Sequence, residues 1–147
     1  MGIAIKGRGS TSHLAGRFES TVSEAVDDGW AVDESDEFLA PRLRTEVRAE
    51  TARSIITRNN SPDVGFSQSV NPYRGCEHGC SYCFARPSHA YLNLSPGLDF
   101  ETKLFAKTNA PQLLRKELSK PGYVPQPIAL GINTDAYQPI ERKFKLT

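Results

Sequence analysis

RGCEHGCSYCFARP, from Arg74 to Pro87, holds every cysteine of the chain: Cys76, Cys80 and Cys83 lie within eight residues. The spacing is C-x3-C-x2-C. On a helix it would place all three thiols on one face, as a stripe of small buried side chains. Gly75 and Gly79 oppose that reading, since each costs about 1 kcal/mol in a helix interior. A straight helix would also separate Cys76 from Cys83 by roughly 10 Å along its axis. Three sulfurs strung in a row cannot cap one compact cluster, whereas a glycine-loosened loop can gather them.

Gathered thiols have two further readings. Zinc requires a fourth ligand, which His78 or His89 would supply in a Cys3His site. Structural zinc is usually held by two ligand pairs, and no second pair is present. A four-iron cubane ordinarily takes four cysteines, so three would leave one iron open to a substrate or cofactor. The spacing favours this three-cysteine cluster over zinc, and zinc over inert core thiols.

Around the loop the chain alternates. Val64–Val70 reads as a strand. His89–Leu94 has short helical character and stops at Ser95-Pro96-Gly97. Glu101–Lys107 reads as a second strand. Asn109 is an N-cap for a helix from Ala110 to Ser119, with Pro111 tolerated in the first turn and Leu113, Leu114 and Leu118 on one side. Pro121-Gly122 ends it. Pro127–Ile132 is continuously apolar, as buried parallel strands tend to be. The order predicts an α/β protein with parallel strands and right-handed crossovers. Three such strands cannot close a barrel, and RKFKLT supplies no closing element, so the expectation is a part of a larger α/β architecture or a chain that needs a partner.

Upstream, residues 42–63 form a basic lead-in with Arg42, Arg44, Arg48, Arg53 and Arg58. The expectation there is a short helix ending before Asn59-Asn60-Ser61-Pro62, with a solvated arginine face. Residues 1–41 show no sustained period and are expected to be a largely disordered extension. Residues 1–40 carry eight acids against three bases, a balance of −5, so the remainder stands at +6 within the net +1. This is an acidic tail on a mildly basic body, with Trp30 as a bulky anchor. No apolar run approaches the ~20 residues of a membrane span. The default is a soluble cytoplasmic protein, where clustered thiols stay reduced and read as ligands rather than disulfides.

CEHGCSYC, with Tyr82 directly before the last cysteine, resembles the cluster motif of the radical S-adenosylmethionine enzymes. The wider run NPYRGCEHGCSYCFARPSHAYLNLSPGLDFETKLFAKTNAP, residues 71–111, and TDAYQPIERKFKLT, residues 134–147, resemble a bacterial branch related to spore photoproduct lyase. The resemblance covers Arg42 to Thr147. It implies a 4Fe–4S cluster held by Cys76, Cys80 and Cys83, with S-adenosylmethionine on the open iron. Reductive cleavage would then yield a 5′-deoxyadenosyl radical that abstracts hydrogen from a substrate. It implies residues 64–147 as the N-terminal part, about three βα units, of a partial (β/α)6 TIM-like barrel. The cluster loop would follow its first strand, at the active face of parallel barrels.

By the same resemblance Tyr82 and Phe84 pack around the cluster or adenine, or fill core. On electrostatic grounds Arg74 or Arg86, which flank the loop, would steady the anionic cluster, with a plain surface arginine as the competing reading of each. Lys107, Thr108 and Asn109 stand where the superfamily has a glycine-rich motif. KTNAP departs from that motif, and helix capping competes with a cofactor contact for Asn109. Asn133, Thr134 and Asp135 would line the pocket or turn the chain, and His78 and His89 would structure the loop. An electron donor such as flavodoxin or ferredoxin, a nucleic-acid substrate and a separate C-terminal half are implied partners, with no membrane. The competing class is a small zinc- and nucleic-acid-binding module.

Overall fold

The computed structural model describes residues 7–10, 14, 16–18 and 43–147. Most of the expected acidic extension, including Trp30, lies outside the described residues. The rest is mixed α/β, built on two three-stranded sheets. Strands β1 (Glu46–Glu50), β5 (Lys103–Lys107) and β4 (Tyr73–Arg74) form the first, in the order β1-β5-β4. Strands β2 (Ile56–Arg58), β3 (Gln68–Val70) and β6 (Ile128–Leu130) form the second, in the order β2-β3-β6.

β5 alternates as a strand with one buried face should: Leu104 and Ala106 are buried while Lys103, Phe105 and Lys107 are half-buried. The inward pair joins Tyr73 and Ile140 in one core, flanked by Val47, Phe144 and Leu146. A second core gathers Ile55, Val70 and Ala110, with Leu113 and Leu114 of the helix α2 (Ala110–Leu118) packed against it. Glu117 of α2 accepts the backbone N–H of Ile55 at 2.8 Å and of Ile56 at 3.2 Å, which ties the helix to the start of β2.

Several expectations need correction. The lead-in is two strands, not a helix. Thr45, Val47, Ile55, Ile56 and Thr57 are β-branched and favour extended chain. β1 also finds a parallel partner in β5, with Glu46 opposite Lys103 and Glu50 opposite Lys107. The strand expected over Val64–Val70 shortens to Gln68–Val70, whose three residues are all buried because β3 is the central strand of its sheet. Glu101 and Thr102 belong to a short helix, α1 (Leu98–Thr102), which passes straight into β5.

Of the three strands expected to be parallel, β3 and β6 are; β5 lies in the other sheet, parallel to the unexpected β1, and β2–β3 and β4–β5 are antiparallel. β5 does not stand between β3 and β6, because β1 and β4 occupy its two edges. No closed barrel forms among the described residues. β6 lies at the end of its sheet, so its residues are half-buried or exposed rather than buried. The final segment does form an element, α3 (Glu141–Phe144). Glu141 accepts the backbone N–H of Leu146 and Thr147 at 3.1 and 2.9 Å and the phenol of Tyr73, fastening α3 to β4. Among the described residues no helix is long and apolar enough to cross a membrane.

Candidate functional site

The cysteine loop leaves β4 through Gly75, which has a left-handed φ of 75°. A Cβ there would press on Leu104, the Phe100 carbonyl and His89. Two turns follow. Gly79 donates to the Cys76 carbonyl at 3.2 Å, and Cys83 donates to the Cys80 carbonyl at 3.2 Å. Gly79 between them also has positive φ, at 61°. The segment Cys76–Ala85 is therefore not helical, and the helical-stripe reading of the cysteines fails. A 3₁₀ helix, Arg86–Leu92, begins only afterwards.

All three thiols are free. Cys76 is buried with Ala85 and Phe100, and Cys83 packs on the same group. Cys80 is half-buried and is not part of that cluster. Among the described residues no three His, Cys, Asp or Glu side chains are drawn together as a metal ion needs. Burial pushes the Cys76 thiol above its ordinary range, and the charges of Asp135 and Cys83 add to this. The backbone N–H groups of His78 and Asp135 act the other way. A bound cation would reverse the balance by favouring thiolate.

The loop is braced from three directions. Of the two flanking arginines, Arg86 is the one that enters it. Its Nε donates to the Cys80 carbonyl at 3.0 Å, and its Nη2 to the Gly79 carbonyl at 2.6 Å. Nη2 also meets Glu101 Oε1 at 2.7 Å, where Glu101 is fully buried. Arg74 turns away and pairs with Glu50 at 2.9 Å. The second brace follows β6. Thr134 Oγ1 donates to the Gly75 carbonyl at 2.6 Å, and Gln138 Nε2 reaches the same oxygen at 3.2 Å. The amide oxygen of Gln138 accepts the Glu77 N–H at 3.0 Å. The third is Phe100, whose carbonyl accepts the Cys76 N–H at 3.0 Å.

Of the other expected site residues, Tyr82 is 88% and Phe84 73% exposed, so neither fills core. Asn109 stands at the N-cap of α2 but makes no side-chain cap bond there. Its amide bridges to Ala52 instead, accepting the N–H at 3.0 Å and donating to the carbonyl at 2.8 Å. Asn133 donates its backbone N–H to Asn71 Oδ1 at 2.8 Å and lines a cavity of about 130 Å³ with Arg74 and Lys107. Asp135 comes to the loop, with its Oδ2 3.1 Å from Nε2 of His78. Thr108 follows β5 and donates its N–H to the Glu50 carbonyl at 3.2 Å.

His89 is fully buried, edge-on to Phe100 at 5.2 Å between ring centroids. Its Nε2 lies 2.9 Å from the Lys103 carbonyl, which can only accept, so Nε2 carries the proton. Nδ1 is buried without a partner among the described residues. The sequence reading missed Glu101, Gln138 and Arg8. The one local signal was the i, i+4 spacing of Thr134 and Gln138.

No protein-family profile matches the chain, and no solved structure matches it. It is 48% identical over 101 residues to uncharacterized proteins of Mycobacterium tuberculosis and Mycobacterium bovis, a match covering 69% of this chain and 29% of each relative. An uncharacterized protein of the archaeon Methanocaldococcus jannaschii is 31% identical over 104 residues, covering 71% of this chain and 36% of that protein. A 101-residue stretch of a 147-residue chain cannot miss residues 47–101, so the mycobacterial similarity spans the whole cysteine loop. The chain spans under a third of the length of these mycobacterial relatives.

Proposed function

We propose that the chain is the cysteine-loop portion of a radical S-adenosylmethionine enzyme of the branch related to spore photoproduct lyase. The observation that carries this reading is the loop itself: C-x3-C-x2-C in two successive turns joined at a left-handed glycine, with all three thiols free. The donor set suits the group in kind, and loading would have to draw Cys80 in to Cys76 and Cys83, since among the described residues no three ligating side chains are gathered. Soft thiolates are the ligands that iron–sulfur clusters take, and three of them leave one position open. Cys76, Cys80 and Cys83 would hold a 4Fe–4S cluster, which with S-adenosylmethionine would supply one-electron reductive chemistry at the loop.

The remaining work falls to this chain's own residues. Arg86 holds the Gly79 and Cys80 carbonyls, and Thr134 and Gln138 hold the Gly75 carbonyl, so the loop is fixed on both sides of Cys76. β3 and β6 run parallel, and the segments that follow them meet at Gly75. That meeting favours a site at the carboxyl ends of parallel strands, in keeping with a partial (β/α)6 barrel. In this reading Asn133 and Asp135 line the pocket, and exposed Tyr82 and Phe84 are free to cover adenine. Asn109 is engaged by Ala52 and holds structure. A nucleic-acid substrate, a flavodoxin or ferredoxin donor and a cytoplasmic site of action belong to the same proposal.

Anaerobic reconstitution with iron and sulfide tests it. The expected result is about four irons per chain and a reduced-cluster electron paramagnetic resonance signal that changes when S-adenosylmethionine is added. Stoichiometric zinc without a brown chromophore would overturn it in favour of the zinc module.

A further inference from the structure

Glu101 is a fully buried carboxylate, and such a group needs donors from every side. Arg86 supplies one. The others come from the far end of the chain. The backbone N–H of Arg8 donates to Glu101 Oε2 at 2.5 Å, and that of Gly9 donates to the same oxygen at 3.2 Å. The Arg8 guanidinium donates to the Glu101 carbonyl at 2.5 Å and to Thr45 Oγ1 at 2.7 Å. It also lies 4.0 Å from Glu77 Oε1 inside the cysteine loop. Among the described residues the other oxygen of Glu77 is buried without a hydrogen-bond partner.

Contact with the loop is also direct. A Cβ at Gly9 would overlap the Gly79 carbonyl oxygen and stand 3.0 Å from the Ser81 nitrogen. A Cβ at Gly79 would press on the Arg8 side chain at 2.8 Å and the Glu101 carboxylate at 2.9 Å. Only two glycines facing each other allow this approach. Farther along, Arg17 donates its N–H to the Ala90 carbonyl at 3.3 Å and lays its guanidinium 4.7 Å over the Tyr91 ring. The N–H of Phe18 donates to Asn93 Oδ1 at 3.3 Å. Residues 7–10 and 16–18 thus sit on the loop and on the 3₁₀ helix that continues it.

We infer that residues 7–10 are a component of the cysteine site, with Arg8 and Gly9 as positioning residues that fix the junction of the two turns at residues 79–81 through Glu101 and Arg86. Arg86 Nη2 meets both Glu101 and the Gly79 carbonyl. An Arg8–Glu101–Arg86 chain therefore sets where that carbonyl points, and with it the direction in which Cys80 is presented. What the loop then holds rests on the function proposed above; its positioning does not.

The test uses the full chain, reduced and metal-free, alkylated with iodoacetamide while mass spectrometry follows each cysteine. Melting temperature is recorded in parallel. Gly9→Ala pushes the segment off Gly79 without altering the body, and Arg8→Ala removes the guanidinium contacts. Both are expected to raise the Cys80 rate by roughly tenfold relative to Cys76, through local opening of the turn. Arg8→Lys is expected to recover part of the protection. An unchanged Cys80-to-Cys76 ratio in both variants would overturn the inference. So would a uniform rise at all three cysteines with a lost melting transition, which would make the segment a general support. Iron uptake by the unaltered chain is read separately: if it fails while the Cys80 shift persists, the proposed function falls and the positioning role stands.

Discussion

Arg86 and Glu101 form an ion pair at 2.7 Å, with the Glu101 side chain fully buried and that of Arg86 12% exposed. The pair is the hub of the cysteine loop, because the same guanidinium also ties the Gly79 and Cys80 carbonyls. Removing one partner leaves the other charge buried and uncompensated. Arg86→Ala is expected to lower unfolding free energy by about 3 kcal/mol, seen as a fall in denaturant midpoint at unchanged slope. A loss below 1 kcal/mol, on the order of an exposed pair, would show that the pair does not brace the loop.

The hydrogen bond from Tyr73 to Glu141 joins β4 to α3. Burial disfavours the charged form of Glu141, but the bonds from Tyr73, Thr147 and Leu146 outweigh it and hold the carboxyl below its usual range. A depressed carboxyl stabilises above its unfolded pKa, and that contribution drains away as pH falls through the folded value. Tyr73→Phe is expected to cost about 1 kcal/mol at neutral pH and to flatten the acid limb of the stability profile below pH 4.5, the ordinary value of the carboxyl. A variant with the parent's acid limb would contradict this.

His89 titrates in a different window. Burial pushes its pKa below the ordinary 6.5. The unfolded chain therefore takes up the proton first, and stability falls as pH drops below that value. Denaturation at pH 7.5 and 5.5 is expected to show this loss in the parent chain and its disappearance in His89→Gln, which keeps a donor for the Lys103 carbonyl. Equal pH sensitivity in both would assign the loss elsewhere.

The sequence disclosed what local chemistry controls. Gly75 and Gly79 announced a loop, Asn109 and Pro121-Gly122 bracketed α2 to within a residue, and the non-helical cysteine segment followed. Pairing was not legible. Residues 42–50 place a charge at every second position, a strand period that the arginine count masks, and the edge of β5 supplies the partner that makes β1 a strand. Arg8 and Glu101 lie 93 residues apart, and no local pattern links them. Asn109 looked like a cap from its place in the chain, yet its amide bonds Ala52, 57 residues away.

β6 is an edge strand with Leu130 45% exposed. Unpaired apolar edges template association. The chain is expected to become turbid with rising concentration at neutral pH, and Leu130→Lys to suppress this while leaving the circular dichroism spectrum unchanged. Equal turbidity in both would place the sticky surface away from β6.

The most direct measurement of the central claim is Mössbauer spectroscopy on anaerobic protein loaded with isotopically enriched iron. The account predicts a 4Fe–4S spectrum in which one iron of about four changes its isomer shift on addition of S-adenosylmethionine, and loss of the cluster when Cys76, Cys80 or Cys83 becomes alanine. A spectrum indifferent to S-adenosylmethionine, or a cluster that survives those substitutions, would contradict it.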